Sequence, residues 1–323
     1  MNYQQFSVQQ LCGLFGKSRR AYYRREERQA IVSDWNLQVL EMVKVIRRRQ
    51  PRLGTPKLYE KLKANFRASG IKMGRDALND LIQANGLGVR QRKRRKPVTT
   101  YSNHPYRKYP NLIFELVPDS PNQIWVSDIT YITLSNSFAF LTLITDTYSR
   151  KIVGYNIGLR MTAAESAKAL EMAFKTLPVN HQLIHHSDRG SQYCSRAYID
   201  LLKSRDVRIS MTQSGSPYDN AIAERINGTL KNELHMGDEF SGVRAARERL
   251  REDVLIYNCE RPHASIEMMT PQQAHQMEGP LKRLWKSKSY DDKQYEPGGL
   301  RQPPVPPGRF VYHGNTEEDQ RKP

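Results

Sequence analysis

Between residues 121 and 240 two hydrophobic periods alternate in one order, and few folds accept it. Period-two runs at about 123–133, 138–145 and 151–158 predict three strands. The turn Asp146-Thr147-Tyr148-Ser149-Arg150 joins the second to the third. Thr162 with Glu165 predicts a capped helix, with Ala163, Ala167, Leu170, Phe174 and Leu177 as its apolar face. Leu183 to His186 is a fourth strand, ending in a turn at Ser187-Asp188-Arg189-Gly190. Ser195 caps a helix through Lys203, and Arg208 to Thr212 is a fifth strand. A last helix, Asn220 to His235, follows the turn-rich Ser214-Gly215-Ser216-Pro217, with Asp219 as its cap. The expected class is α/β, a mixed five-stranded sheet with helices.

Three acids stand at informative places in that order. Asp128 shares a strand face with Ile124, Val126, Thr130 and Ile132. A carboxylate there is costly unless a metal or a cation neutralises it. Asp188 falls at the carboxyl end of a strand, where open α/β sheets place their sites. Glu224 is separated from it by 35 residues and falls in the first turns of the last helix. Carboxylates on two strands and a helix could converge on hard divalent cations. Mg²⁺ prefers one or two carboxylates plus substrate phosphates to an all-protein cage. Two such ions, about 3.5–4 Å apart, can activate an attacking oxygen and stabilise a leaving one. Asp146 is a rival ligand, read more simply as a turn-stabilising Asp. His186 either orients substrate beside the acids or is a packed histidine at a strand end.

The words around these acids add a resemblance. WVSDITYI, LITDTYSRKIVGY, HHSDRGSQY and SGSPYDNAIAERINGTLKNE occur in this order, followed by YNCERPHASIEMMTPQQA from Tyr257 to Ala274. Together they resemble the catalytic core of OrfB-type transposases of bacterial insertion sequences, in the insertion-sequence-three family. That core is related to the core of retroviral integrases. The resemblance runs from about Asn36 to Ala274. It implies an RNase H-like fold, with Asp128, Asp188 and Glu224 as catalytic and metal-binding acids. Lys231, seven residues after Glu224, matches the family's basic residue and is expected to contact DNA, with Arg225 beside it. The implied cofactor is Mg²⁺, as two ions, with Mn²⁺ able to substitute.

Charge is distributed unevenly. Of a net +18, residues 1–100 carry 23 Lys and Arg against 7 Asp and Glu, and the remainder carries 28 against 26. A basic front on a nearly neutral body points to a polyanion partner at the front. Residues 1–30 predict a small helix-turn-helix. Ser7 and Gln10 make a capping box, and Ser18 caps a second helix, Arg19 to Arg28, whose Arg19, Arg20 and Arg24 could lie on DNA. Gly16-Lys17-Ser18 is no phosphate-binding loop, because Leu11 stands where the pattern needs a glycine.

Residues 36–89 predict a second helix-turn-helix domain of three helices. Leu37, Leu40, Val43 and Ile46 form the first stripe. Thr55 caps a helix that begins at Pro56, and the third helix runs from Arg75 to Ala84. Its candidate DNA contacts are Lys57, Lys61, Arg75 and Asn79. Residues 90–120 are a linker, basic at first, where Arg92, Lys93, Arg94, Arg95 and Lys96 are expected to track phosphates. The core spans 121–240, a helical extension 241–277, and a Pro-rich tail without periodicity 278–323.

Three widely spaced cysteines, Cys12, Cys194 and Cys259, exclude a disulfide framework or zinc knuckle. With no apolar leader and no membrane-length run, the expected compartment is the bacterial cytoplasm, at the nucleoid. The expected activity is that of a DDE transposase: cleavage of element ends, then joining of the freed 3′-hydroxyl to target DNA. The expected partners are duplex DNA at terminal inverted repeats and target, further copies of the chain on that DNA, and an OrfA-type protein or fusion. Two rivals remain: an RNase H-like nuclease that only hydrolyses, and an inactive transposase-derived DNA-binding protein.

Overall fold

The computed structural model describes residues 6–89, 103–113, 116–213 and 220–281. The basic run Arg92 to Lys96, the Ser214–Pro217 turn, the Asp219 cap and nearly all of the tail lie outside the described residues.

The core is a five-stranded sheet: β1 (Ile124–Leu134), β2 (Ser137–Asp146), β3 (Ile152–Gly158), β4 (Ile184–Ser187) and β5 (Arg208–Met211). Its spatial order is β3-β2-β1-β4-β5. Tight connections make β1, β2 and β3 an antiparallel meander. Helical crossovers make β4 and β5 parallel to β1. The expected element order and the mixed RNase H-like sheet are both present.

Two apolar layers sandwich the sheet. On one face Trp125, Ile129 and Ile144 pack against α5 (Ala163–Phe174), the short α6 (Ser191–Cys194) and α7 (Arg196–Lys203). A Cβ at Gly154 of β3 would come within 2.1 Å of the Ala169 carbonyl, so only glycine lets α5 lie that close. On the other face Ile132, Leu141 and Leu143 meet Ile226, Leu230, Leu250 and Tyr257 of α8 (Ala221–Asn232) and α9 (Val243–Cys259). The β1 alternation therefore puts odd residues under α5–α7 and even ones, Asp128 and Thr130 included, under α8.

The Tyr257–Ala274 motif is a strap that closes this second layer. Asn258 pairs like a short strand with the edge of β3, its Oδ1 accepting from Ile152 N and its Nδ2 donating to Ile152 O, both at 3.0 Å. Tyr257 donates to Arg150 O at 3.0 Å. α10 (Pro271–Ala274) ends the strap, and His275 Nδ1 lies 2.9 Å from Ser149 Oγ.

The front of the chain is all-α: α1 (Val8–Leu14), α2 (Arg19–Arg49), α3 (Thr55–Ala68) and α4 (Arg75–Ala84). The expected helix 19–28 and the expected stripe from Leu37 are one 31-residue helix. No Gly or Pro interrupts it, so nothing in the sequence stops it. Val43 and Ile46 of the expected stripe pack in the core of this all-α front, while Leu37 is 63% exposed and Val39 is buried instead. The cap of α3 is Gly54, not Thr55. Thr55 Oγ1 donates instead to Asn79 Oδ1 at 3.1 Å.

α3 docks on the core through charge. Lys57 Nζ donates to Glu233 Oε1 and Oε2 at 2.7 and 3.0 Å. Arg261, only 3% exposed, holds the same carboxylate with two bonds of 2.9 Å. Lys61 Nζ donates to Glu260 O at 3.0 Å, and Arg52 donates to Leu234 O at 2.9 Å. Lys57 and Lys61, expected on DNA, thus face the core, because their partners lie at the ends of α8 and α9. Among the described residues no helix is long and apolar enough to cross a membrane.

Candidate active site

The parallel register of β1 and β4 brings two acids side by side. Ile124, Trp125 and Val126 pair with Ile184, His185 and His186. The same offset, continued past the end of β4, sets Asp128 level with Asp188. α8 crosses β1 above them. Its Asn220 Nδ2 donates to Ser127 O at 3.0 Å, Asn227 Nδ2 to Asp128 Oδ2 at 2.8 Å, and Lys231 Nζ to Thr130 Oγ1 at 2.6 Å. Glu224 lies between Asn220 and Asn227 at helical spacing, and it is exposed.

Local structure fixes each acid. Asp128 Oδ1 accepts from Ile129 N at 2.9 Å. Asp188 Oδ1 accepts from Gly190 N at 2.9 Å, which closes the turn after β4. A Cβ at Gly190 would crowd Gln192 Nε2 at 2.4 Å and that same oxygen at 3.0 Å.

The charges of the three acids are coupled. Asp128 keeps a solvent-accessible edge, yet burial, reinforced by the Asp188 charge, pushes its carboxyl up to about 7. Glu224 adds to the rise, while the bonds from Asn227 and Ile129 oppose it. Burial lowers Lys231, and the Asp128 charge opposes that shift. Its ammonium is held over β1, two residues along from Asp128.

The donors suit a hard cation: three carboxylates, and Asn227 Oδ1, which is buried and has no partner among the described residues. As they stand, no three His, Cys, Asp or Glu side chains among the described residues form a closed ligand set.

The other candidates separate cleanly. Asp146 is fully buried and accepts from Ser149 N, Ser149 Oγ and Asn122 N at 2.6–2.7 Å, so it is the turn-stabilising Asp. His186 is a packed histidine, its Nδ1 2.8 Å from Ser210 Oγ. Asn79 is tied to Thr55 inside the helical region, and Arg75 is exposed beside Asp76. Arg225 is exposed, and its charge depresses Lys57 and His263, so it belongs to the side of α8 that meets the helical region. Arg19, Arg20 and Arg24 are exposed on α2. Sequence reasoning missed Asn227 and Asn220; their signal was the i, i+4, i+7, i+11 spacing of Asn220, Glu224, Asn227 and Lys231 on one helix face.

Two integrase core domain family models match, one over residues 118–217 and the other over 205–271. The uncharacterized 31 kDa protein of insertion element IS600 from Shigella sonnei is 37% identical over 276 residues, covering 83% of this chain and 99% of its own. The transposase InsF for insertion sequence IS3A from Escherichia coli (strain K12) is 29% identical over 279 residues, covering 83% and 94%. Among solved structures, the HTLV-2 integrase catalytic core domain in complex with magnesium covers 49% of this chain and 99% of its own, at 18% identity and TM-score 0.39.

Proposed function

The chain belongs to the insertion-sequence transposases with an integrase core, and from that premise we propose that it cuts DNA at its element's ends and joins them to target DNA. The observation that supports this most directly is the parallel register that sets Asp128 level with Asp188 beneath α8, the helix that carries Glu224. Such a cluster of carboxylates calls for a cation.

In this reading Asp128, Asp188 and Glu224 hold divalent metal, as two Mg²⁺ ions that Mn²⁺ can replace. When bound, the metal supplies Lewis-acid stabilisation of the charge on the attacking and leaving oxygens. Asn227 orients the Asp128 carboxylate. Lys231 leaves Thr130 to take a phosphate of the DNA end. The first displacement breaks a phosphodiester with water and leaves a 3′-hydroxyl. The second uses that hydroxyl as nucleophile on target DNA, so no covalent protein–DNA intermediate forms.

The partners are terminal inverted repeats and target DNA, with further copies of the chain assembled on them at the nucleoid, and an OrfA-type protein. Arg19, Arg20, Arg24, Arg75, Arg225 and the run Arg92 to Lys96 are the phosphate contacts of this reading. Lys57 and Lys61 are not among them while docked.

A strand-transfer assay tests the proposal. With labelled element ends and Mg²⁺, the expected products are nicked ends and joined target molecules. Nicked ends without joining would leave a nuclease, and unaltered ends bound by the protein would leave a DNA-binding descendant.

Lys231→Ala is expected to weaken binding of element ends about tenfold, and Lys231→Arg to restore most of it, since Arg also contacts phosphate. The measurement is end affinity in EDTA. Wild-type affinity in Lys231→Ala would remove the DNA-contact role.

A further inference from the structure

The segment before β1 was expected to be a linker without structure of its own. Its described residues form no helix or strand, but residues 104–112 are laid along the edge of the sheet and reach the candidate site. Pro110 O accepts from Met211 N at 3.2 Å, and Leu112 N donates to Ser210 Oγ at 2.9 Å, both on the edge strand β5. Tyr109 packs into the α5–α7 layer. His104 Nε2 donates to Arg189 O at 2.8 Å, the carbonyl next to Asp188.

Covering a strand edge accounts for Tyr109, Pro110 and Leu112. It does not account for what the segment shows to solvent. Tyr106 is 48% exposed and rests against His104, with ring centroids 5.2 Å apart. Arg107 lies over the Tyr109 ring at 5.3 Å, and Arg107 and Lys108 are both exposed. Neither cation has an acidic partner among the described residues. Two polar atoms beside Asp188, His104 Nδ1 and Arg189 Nε, are buried and lack a partner among the described residues. His104 Nε2 carries the proton given to a carbonyl, and Arg189 Nε is a donor.

Aromatic rings alternating with unpaired cations are the chemistry that holds single-stranded nucleic acid: bases stack and phosphates are neutralised. A duplex offers its bases only at groove edges, and an exposed tyrosine ring finds no face to stack on there. We propose that His104, Tyr106, Arg107, Lys108 and Arg189 form a single-strand DNA contact that leads an unpaired strand to the Asp188 side of the site. It rests on the reading of DNA as substrate and adds to it where, and in what form, one strand lies.

The test uses the full chain in EDTA, so that binding is read apart from cleavage. The probes are a fluorescent oligothymidylate of about twelve nucleotides, within the usual footprint of such contacts, and a duplex of equal length. Tyr106→Ala is expected to weaken oligothymidylate binding about tenfold and duplex binding less than threefold, while Tyr106→Phe keeps near wild-type affinity because the ring remains. Arg107→Ala with Lys108→Ala is expected to make the slope of log affinity against log salt shallower by about 1.4, from about 0.7 per phosphate contact on a single strand. Unchanged oligothymidylate affinity in Tyr106→Ala, or an equal loss on duplex, would overturn the proposal while leaving DNA as substrate intact. Wild-type protein that binds neither probe would overturn both.

Discussion

Asp188→Asn lowers Mg²⁺-dependent cleavage of element ends by roughly a thousandfold, the equivalent of about 4 kcal/mol of lost transition-state stabilisation. The fold survives, because the amide oxygen of Asn can still accept from Gly190 N–H and close the turn after β4. What is lost is the negative charge level with Asp128. Single-turnover cleavage and a thermal melt, measured on the same preparation, separate the two effects. A variant that cuts at near the wild-type rate would take Asp188 out of the site, and a variant that fails to melt cooperatively would call for Asp188→Glu in its place.

Asp128→Asn also removes activity but carries a second signature: it raises the stability of the metal-free protein at pH 8. Burial and the neighbouring acids lift Asp128 from the usual 3.8 to about 7. The folded state therefore binds this proton more tightly than the unfolded chain. Stability falls as pH rises from about 4 to about 7 and stays lower above that. The full difference corresponds to about 4 kcal/mol, discounted to about 2 for the edge that Asp128 shows to water. Asn avoids this cost. Its amide can donate to Asn227 Oδ1, which is buried without a partner among the described residues, once the Asn227 amide turns over. Urea unfolding in EDTA at pH 5 and pH 8 reads the effect. Equal pH dependence in wild type and variant would remove the carboxylate as its source.

The core was legible in the sequence because its strands are long or follow strong turns. The run to Leu134 and the capping pair Thr162–Glu165 declare themselves locally. Asp128 and Asp188 were legible as residues, but their adjacency was not, since it depends on the parallel register of β1 with β4. The resting partners of Lys231 and Lys57 were not legible, for one shared reason. A lysine is solvated by default, and only the tertiary fold shows that Thr130 and Glu233 capture them. The length of α2 was missed because the basic stretch Arg19–Arg28 and the apolar stripe from Leu37 were read as separate helices, while nothing in the sequence forces a break between them.

The helix α8 and its C-terminal cap hold four side chains in contact at once. Along it, Asn220 and Asn227 meet β1, Lys231 meets Thr130, and just past its end Glu233 takes Lys57 and Arg261. Each residue of an α-helix adds about 100° of turn and about 1.5 Å of rise. Inserting or deleting a single residue between Asn220 and Glu233 would swing every later contact away from its partner together. Point changes on the exposed face cost little by comparison. Descent within such a chain is therefore free to rewrite the outer letters of this helix but not to alter its length, and gaps in this lineage should gather on either side of it.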